Sequence, residues 1–224
     1  MHPIKPIIKV CGMRDAENIR EVESLGIDLM GFIFWSKSSR YVSERPNYLP
    51  QKAKKVGVFV NEDTETIMQI AKDYALDFIQ LHGTESPDIV RSIRSVCGDG
   101  IAIIKAFNIA TADDFAQTKP YEGIVNYFLF DTKGKSVGGN GEKFDWNVLS
   151  AYDSETPFLL SGGIGPDDVE VLNSYLSVLG SKHCIGIDLN SRFELAPGLK
   201  DVAILQKFLN ELNRSINSKL SNSK

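Results

Sequence analysis

The chain has 224 residues, 42% of them hydrophobic and 24% charged, which is typical of a soluble globular protein. Its formal net charge of −4 gives no support for a nucleic-acid partner, so local hydrogen-bond donors would have to hold any anionic ligand. No apolar run approaches the roughly 20 residues that span a bilayer, and no signal-peptide pattern is seen, so we expect a cytoplasmic protein without a membrane partner.

The cysteines, Cys11, Cys97 and Cys184, lie far apart in the chain and form no closely spaced pair. Their odd number and wide separation argue against a disulfide framework and against a zinc site. We therefore expect reduced thiols, as is usual in the cytoplasm.

Short apolar runs alternate with amphipathic stretches along the chain. The runs predict eight strands, at residues 7–11, 28–34, 55–60, 77–82, 101–107, 127–131, 157–162 and 183–188. The stretches between them predict helices at residues 15–25, 63–75, 85–96, 111–117, 166–178 and 200–213. Strands that alternate with helices indicate a parallel sheet with crossover connections.

The number of these units favours a barrel. Eight units in 224 residues take about 28 residues each, which is enough for one strand and one helix and favours a closed barrel over an open doubly wound sheet. We predict an α/β protein with one (β/α)8 TIM-barrel domain at residues 1–213. A polar, disordered C-terminal tail is expected at residues 214–224.

Polar residues cluster at the C-terminal ends of the predicted strands, where barrels carry their chemistry. Side chains alternate along a strand, so one parity faces the barrel axis: Lys9 and Cys11, Gln80 and His82, Leu129 and Asp131, Gly186 and Asp188. The other parity is apolar and is expected to face the helices: Ile8, Val10, Ile79, Leu81, Phe128, Phe130, Ile185 and Ile187.

The polar inner residues have two interpretations from the pattern alone. Lys9 and Asp188 could form a structural ion pair, since the first and last strands of a barrel adjoin, or they could belong to a site. A lone strand cysteine such as Cys11 is more often a small core residue than a catalytic one. His82 could contact a substrate or hydrogen-bond to a loop.

Two segments near the end of the chain are typical of a phosphate site. Gly162 and Gly163 follow the seventh predicted strand, and Asn190 and Ser191 follow the eighth. Glycine turns let a ligand approach backbone N–H groups, and a short helix opening at Asn190 would aim further donors at an anion. The loops after strands seven and eight commonly bind phosphate in barrels, so we predict a phosphorylated small-molecule substrate.

A set of short motifs runs from about residue 8 to residue 201. In chain order they are KVCGM (9–13), GFIFWSKSSRYV (31–42), VGVFVNE (56–62), QLHG (80–83), IKA (104–106), LFDT (129–132), GGNGEKFDW (138–146), LSGGI (160–164) and DLNSRFE…PGLKD (188–201). In order and spacing they resemble the phosphoribosylanthranilate isomerases of tryptophan biosynthesis. The resemblance implies a (β/α)8 barrel that rearranges the aminoaldose N-(5-phosphoribosyl)anthranilate to the aminoketose 1-(2-carboxyphenylamino)-1-deoxyribulose 5-phosphate, without a metal or organic cofactor.

The resemblance also implies residue roles. Cys11 corresponds to the general base and Asp131 to the general acid. A cysteine base needs thiolate character, which either Lys9 or a helix N-terminus could encourage. Arg40 corresponds to the residue that binds the anthranilate carboxylate. The other expected substrate-binding residues are His82, Gly139, Gly141, Gly162, Gly163, Asp188, Asn190 and Ser191. We expect a monomer or a homodimer.

The sequence departs from the family pattern at Arg192, where many members have glycine, and at Asn140, where threonine or serine is frequent. Arg192 restricts the backbone or adds a charged contact to phosphate, which leaves the phosphate donors open. The rivals are other phosphosugar barrels and a non-catalytic phosphate-binding barrel. Cys11 argues against the isomerase of histidine biosynthesis, which uses an aspartate pair. The chain lacks the clustered His ligands of ribulose-phosphate epimerase and the N-terminal extension and catalytic Lys and Glu positions of indole-glycerol-phosphate synthase. A non-catalytic barrel would have no reason to keep both Cys11 and Asp131.

Overall fold

A computed structural model describes residues 5–132, 146–178 and 183–221, and the strands among them close into a parallel barrel. Neighbours in the chain pair with each other, and the eighth strand returns to the first, with Lys9 level with Asp188. The strands are β1 (Ile7–Cys11), β2 (Leu29–Ile33), β3 (Lys54–Phe59), β4 (Phe78–Leu81), β5 (Ala102–Asn108), β6 (Tyr127–Asp131), β7 (Phe158–Ser161) and β8 (Cys184–Leu189). The predicted eight-stranded barrel is confirmed.

The helices lie between the strands and begin at local signals in the sequence. The Asp63 side chain accepts from the Thr66 amide at the start of a helix, and Ser86 caps the helix that opens with Pro87. The α-helices are α1 (Ala16–Ser24), α2 (Thr64–Tyr74), α3 (Pro87–Cys97), α4 (Val169–Val178) and α5 (Val202–Ser221), and 3₁₀ helices span Ala112–Tyr121 and Trp146–Ala151. Within the described ranges, no helix is both long enough and apolar enough to cross a membrane.

The strands bury two apolar layers, as their alternation predicts. The inner layer, inside the barrel, contains Cys11, Leu29, Val56, Val58, Ile104, Ala106, Leu129 and Leu159. The outer layer packs under the helices and contains Ile8, Val10, Ile79, Leu81, Phe128, Phe130 and Ile187. Ile185 was expected to face the helices but packs with the inner layer. The prediction was wrong there because the β7–β8 register shifts between Phe158 and Leu159, which interrupts the simple alternation.

The chain after β8 differs from the prediction in two ways. A 3₁₀ turn at Ser191–Phe193 leads into a small antiparallel hairpin of β9 (Glu194–Ala196) and β10 (Leu199–Lys200), which the sequence analysis did not predict. Helix α5 then continues to Ser221, past the expected start of a disordered tail at residue 214. Ser215 hydrogen-bonds to Asn173 of α4, and Ile216 packs on the core, which explains why the helix extends.

Candidate active site

A cavity of about 250 Å³ opens at the C-terminal mouth of the barrel. It brings together residues of several strands with the loops that follow them, the usual place for a barrel active site. Every described residue that the sequence analysis assigned to the site lines it: Cys11, Arg40, His82, Asp131, Gly162, Gly163, Asp188, Asn190 and Ser191. The two remaining assigned residues, Gly139 and Gly141, lie outside the described residues.

A buried ion pair lies next to Cys11. Lys9 Nζ is 2.9 Å from Asp188 Oδ1, its side chain is fully buried, and Ser161 Oγ donates to the other Asp188 oxygen at 3.3 Å. Of the two interpretations that the sequence left open, the ion pair is present, and Asp188 also lines the cavity. Burial opposes the charge of Lys9, but the Asp188 carboxylate and the nearby Cys11 hold the pKa of Lys9 above its ordinary value.

The same surroundings act on the Cys11 thiol, which ends β1. Burial raises the pKa of Cys11, the charge of Lys9 lowers it, and the charge of Asp188 raises it again. The net effect is a raised pKa, so Lys9 opposes but does not overcome the burial of the thiol. At neutral pH the unliganded protein therefore carries Cys11 mainly as a thiol.

His82 lies between Gln80 and Asp131 on the inner side of the mouth. Gln80 Nε2 lies 2.9 Å from His82 Nδ1, and His82 Nε2 lies 3.9 Å from Asp131 Oδ2. Burial lowers the pKa of His82 and outweighs the opposing charge of Asp131, so the ring is neutral at neutral pH. If Gln80 donates to Nδ1, the proton of the neutral ring lies on Nε2, directed towards Asp131.

Arg40 lies in the loop after β2 and pairs with Glu194 of the β9–β10 hairpin. Its Nε donates to Glu194 Oε1 at 2.9 Å, and its Nη2 donates to Oε2 at 2.6 Å. Lys200 Nζ donates to the same carboxylate at 2.6 Å and to Asn190 Oδ1 at 2.8 Å. The sequence analysis assigned no role to Glu194 or Lys200, although both charges stand within its C-terminal motif.

Gly162 and Gly12 create the space around the cavity. Gly162 has φ of +100°, and a Cβ there would lie 2.4 Å from the Thr132 amide nitrogen. Gly12 has φ of +81°, and a Cβ there would lie 2.7 Å from Arg40 Cδ and 2.9 Å from Asn190 Oδ1. Both positions therefore require glycine for the backbone conformation and for the close approach.

Arg192 also lines the cavity, beside the loop that follows β7. A Cβ on Gly165 would lie 3.2 Å from Arg192 Nε, which places the guanidinium against this glycine-rich loop. Among the described residues, no group of three or more His, Cys, Asp or Glu side chains could hold a metal ion.

A family model described as N-(5'phosphoribosyl)anthranilate (PRA) isomerase matches residues 8–211. The chain belongs to this family. The N-(5'-phosphoribosyl)anthranilate isomerase of Phocaeicola vulgatus is 49% identical over 212 residues, which cover 94% of this chain and 99% of that protein. The family assignment makes the chain an isomerase, so the predictions of family and enzyme class are confirmed.

Two crystal structures of isomerases from this family resemble the chain closely. The phosphoribosyl anthranilate isomerase of Thermotoga maritima is 30% identical, with a TM-score of 0.76 over 94% of this chain and 100% of that one. A second isomerase structure, in complex with reduced 1-(o-carboxyphenylamino)-1-deoxyribulose 5-phosphate, is 28% identical, with a TM-score of 0.73 and the same coverage.

Proposed function

We propose that this isomerase converts N-(5′-phosphoribosyl)anthranilate to 1-(2-carboxyphenylamino)-1-deoxyribulose 5-phosphate, with Cys11 as general base and Asp131 as general acid. The observation that carries the proposal is the meeting of these two side chains, from β1 and β6, in one cavity with Arg40 and the glycine-rich loop. The relative that binds the reduced product analogue supports a ligand with the same carboxylate, sugar and phosphate.

The reaction needs two proton transfers, and the cavity offers a group for each. Asp131 donates a proton to the furanose ring oxygen as the C1′–O bond breaks, which leaves a Schiff base with the anthranilate nitrogen. Cys11 then removes the proton from C2′, and the electron pair forms the enolamine. The enolamine tautomerises to the ketone. The substrate gains one proton from Asp131 and gives one to Cys11, so its composition is unchanged and the reaction is an isomerisation. Proton exchange with solvent then reprotonates Asp131 and deprotonates Cys11 for the next turnover.

His82 and Lys9 assist the two groups in this proposal. A neutral His82, whose Nε2 lies 3.9 Å from Asp131 Oδ2, helps to hold the Asp131 side chain in place. Lys9 stabilises the Cys11 thiolate once it forms, because its charge is the main influence that lowers the pKa of that thiol. Since burial outweighs Lys9, the thiolate is a minor species at neutral pH, and turnover should rise with pH as Cys11 ionises.

Different groups that line the cavity are suited to the two charged ends of the substrate. Arg40 binds the anthranilate carboxylate, because a guanidinium presents parallel donors to both oxygens. Backbone amides around Gly162, Gly163 and Ser191 bind the phosphate, and Arg192 adds a charged donor from beside the same loop. We further propose that Asp188 acts through Lys9 and Ser161 rather than by direct contact.

The test is an isomerase assay that follows the loss of anthranilate-type fluorescence, coupled to indole-glycerol-phosphate synthase. Turnover that requires Cys11 supports the proposal. Binding of the reduced product analogue without any turnover would instead favour a non-catalytic phosphate-binding barrel. We expect a cytoplasmic monomer or homodimer that needs no metal or organic cofactor and no nucleic acid, which sedimentation and assays in chelator would check.

A further inference from the structure

Arg40 belongs to a network of charges with Glu194 and Lys200. Glu194, at the start of β9, has 4% of its side chain exposed, and the side chain of Lys200, at the end of β10, is fully buried. Both come from the short hairpin that follows the eighth strand. The hairpin is irregular, with a register shift between Leu199 and Lys200. The open end of the hairpin, where Lys200 pairs with Glu194, therefore supplies buried charges next to the cavity.

Glu194 occupies one edge of the Arg40 guanidinium. It accepts from Nε at 2.9 Å and from Nη2 at 2.6 Å, which uses two of the five N–H donors. Among the residues that the structure describes, no other acceptor contacts this guanidinium. The end-on edge, formed by Nη1 and the second N–H of Nη2, stays available for a bidentate contact with a ligand carboxylate.

Lys200 links Glu194 to the loop after β8. Its Nζ lies 2.6 Å from Glu194 Oε1, 2.8 Å from Asn190 Oδ1 and 3.4 Å from the Asn190 carbonyl oxygen. Asn190 precedes the Ser191–Phe193 turn, which belongs to the proposed phosphate site. One buried ammonium group thus contacts both the partner of Arg40 and the segment expected to hold the other end of the substrate.

The stability of the fold alone does not account for this arrangement. Removing three charges from water is costly, and a buried ion pair contributes little net stability compared with apolar residues of the same volume. The ion pair has a larger effect on geometry. The Arg40 guanidinium is already held by two hydrogen bonds, so it loses less side-chain freedom when a ligand binds. The pKa of Glu194 is held low: burial raises it, but Arg40 and Lys200 outweigh burial, so the carboxylate is charged at neutral pH.

We propose that Glu194 and Lys200 are positioning residues, Glu194 presetting the Arg40 guanidinium for the substrate carboxylate and Lys200 joining that clamp to the Asn190 segment. The inference rests on the proposed function of Arg40. It assigns no contact with the substrate to either residue. It predicts that substitution of Glu194 lowers the affinity only for ligands that carry the carboxylate.

The experiment compares two probes by titration: the reduced product analogue and the same compound without its carboxylate. Glu194→Gln should weaken binding of the full analogue about tenfold and binding of the decarboxylated analogue less than about twofold. In the isomerase assay the same variant should raise KM and leave kcat nearly unchanged. Glu194→Asp, which keeps the charge, should fall between wild type and Glu194→Gln. Lys200→Met should weaken both probes, because it releases the Asn190 segment as well as Glu194.

A double-mutant cycle separates positioning from general damage. If Glu194 acts through Arg40, Arg40→Ala with Glu194→Gln should bind the full analogue no worse than Arg40→Ala alone. The inference would be overturned if the two substitutions lowered affinity additively. It would also be overturned if Glu194→Gln lowered affinity equally for both probes, or if it tightened binding. If Glu194→Gln fails to fold by circular dichroism, the Glu194→Asp and Lys200→Met results decide by the same criteria.

The outcome also distinguishes this inference from the proposed reaction. Wild-type protein that prefers the full analogue but turns over no substrate would refute the reaction and leave the positioning role standing. Normal turnover with a Glu194→Gln variant that binds both probes like wild type would refute the positioning role alone.

Discussion

Lys9 Nζ lies 2.9 Å from Asp188 Oδ1, at the point where β1 and β8 close the barrel. Lys9 precedes Cys11 by two residues on β1 and shares its inward parity, so the same pair joins the first and last strands and sets the charge around the thiol. This relationship makes the stability of the barrel and the ionisation of Cys11 depend on the same two side chains.

Breaking the pair should destabilise the fold strongly. Lys9→Met leaves Asp188 as an unpaired buried carboxylate, which should cost about 3–5 kcal/mol in the free energy of unfolding. The exposed pair of Lys54 and Asp77 offers a matched control, since Lys54→Met removes only a surface contact and should cost less than about 1 kcal/mol. Urea unfolding measures the free energy of unfolding of both variants. Equal losses in the two would contradict a stabilising role for the Lys9–Asp188 pair.

Cys11 should titrate above its ordinary value of 9.0, with opposite shifts in two variants. Asp188→Asn removes a charge that raises the pKa and should lower it, whereas Lys9→Met removes the charge that lowers the pKa and should raise it. Because only the thiolate reacts, the rate of alkylation by iodoacetamide should rise with pH up to that pKa. The measurement uses a background with Cys97→Ser and Cys184→Ser, and shifts in the same direction would refute the electrostatic account.

Arg192 should contribute to phosphate binding, unlike the glycine that many family members carry there. Arg192→Ala should raise KM several-fold and weaken inhibition by inorganic phosphate, with kcat nearly unchanged, because a remote charged contact stabilises ground and transition states alike. Arg192→Lys should retain part of the affinity. Lys207→Ala on the exposed face of α5 is the control, and unchanged phosphate inhibition in Arg192→Ala would exclude the contact.

Most of the barrel and its mouth could be predicted from the sequence, because strand alternation and strand ends are local patterns. Cys11 and Asp131 were found this way, with the family motifs supplying their roles. The β9–β10 hairpin was not predictable, since its strands are too short for a periodic signal and depend on the contacts of Glu194 and Lys200. The extension of α5 likewise depends on the tertiary contact of Ile216.

The charge state of Cys11 could not be read from sequence either. A neighbouring lysine indicates a lowered pKa, but the result depends on burial and on the distance to Asp188, which only the folded barrel sets. The same holds for Arg40, whose pairing with Glu194 joins residues 154 positions apart in the chain.

Cys11 and Asp131 carry the two proton transfers in the proposed reaction. Cys11→Ser keeps the shape of the side chain but replaces a thiol by a far weaker acid, and Asp131→Asn keeps the size but cannot donate the ionisable proton. Each should lower kcat by about 10²–10⁴-fold or more while the reduced product analogue still binds. Cys97→Ser, at a half-buried cysteine outside the cavity, should keep wild-type turnover.

The most direct measurement is single-turnover fluorescence of phosphoribosylanthranilate with the folded Cys11→Ser variant, in which chemistry is observed without product release. We predict that the substrate signal persists, with a rate constant at least about 10²-fold below wild type. A folded Cys11→Ser variant that consumes the substrate at the wild-type rate would show that Cys11 is a core residue and would contradict the mechanism.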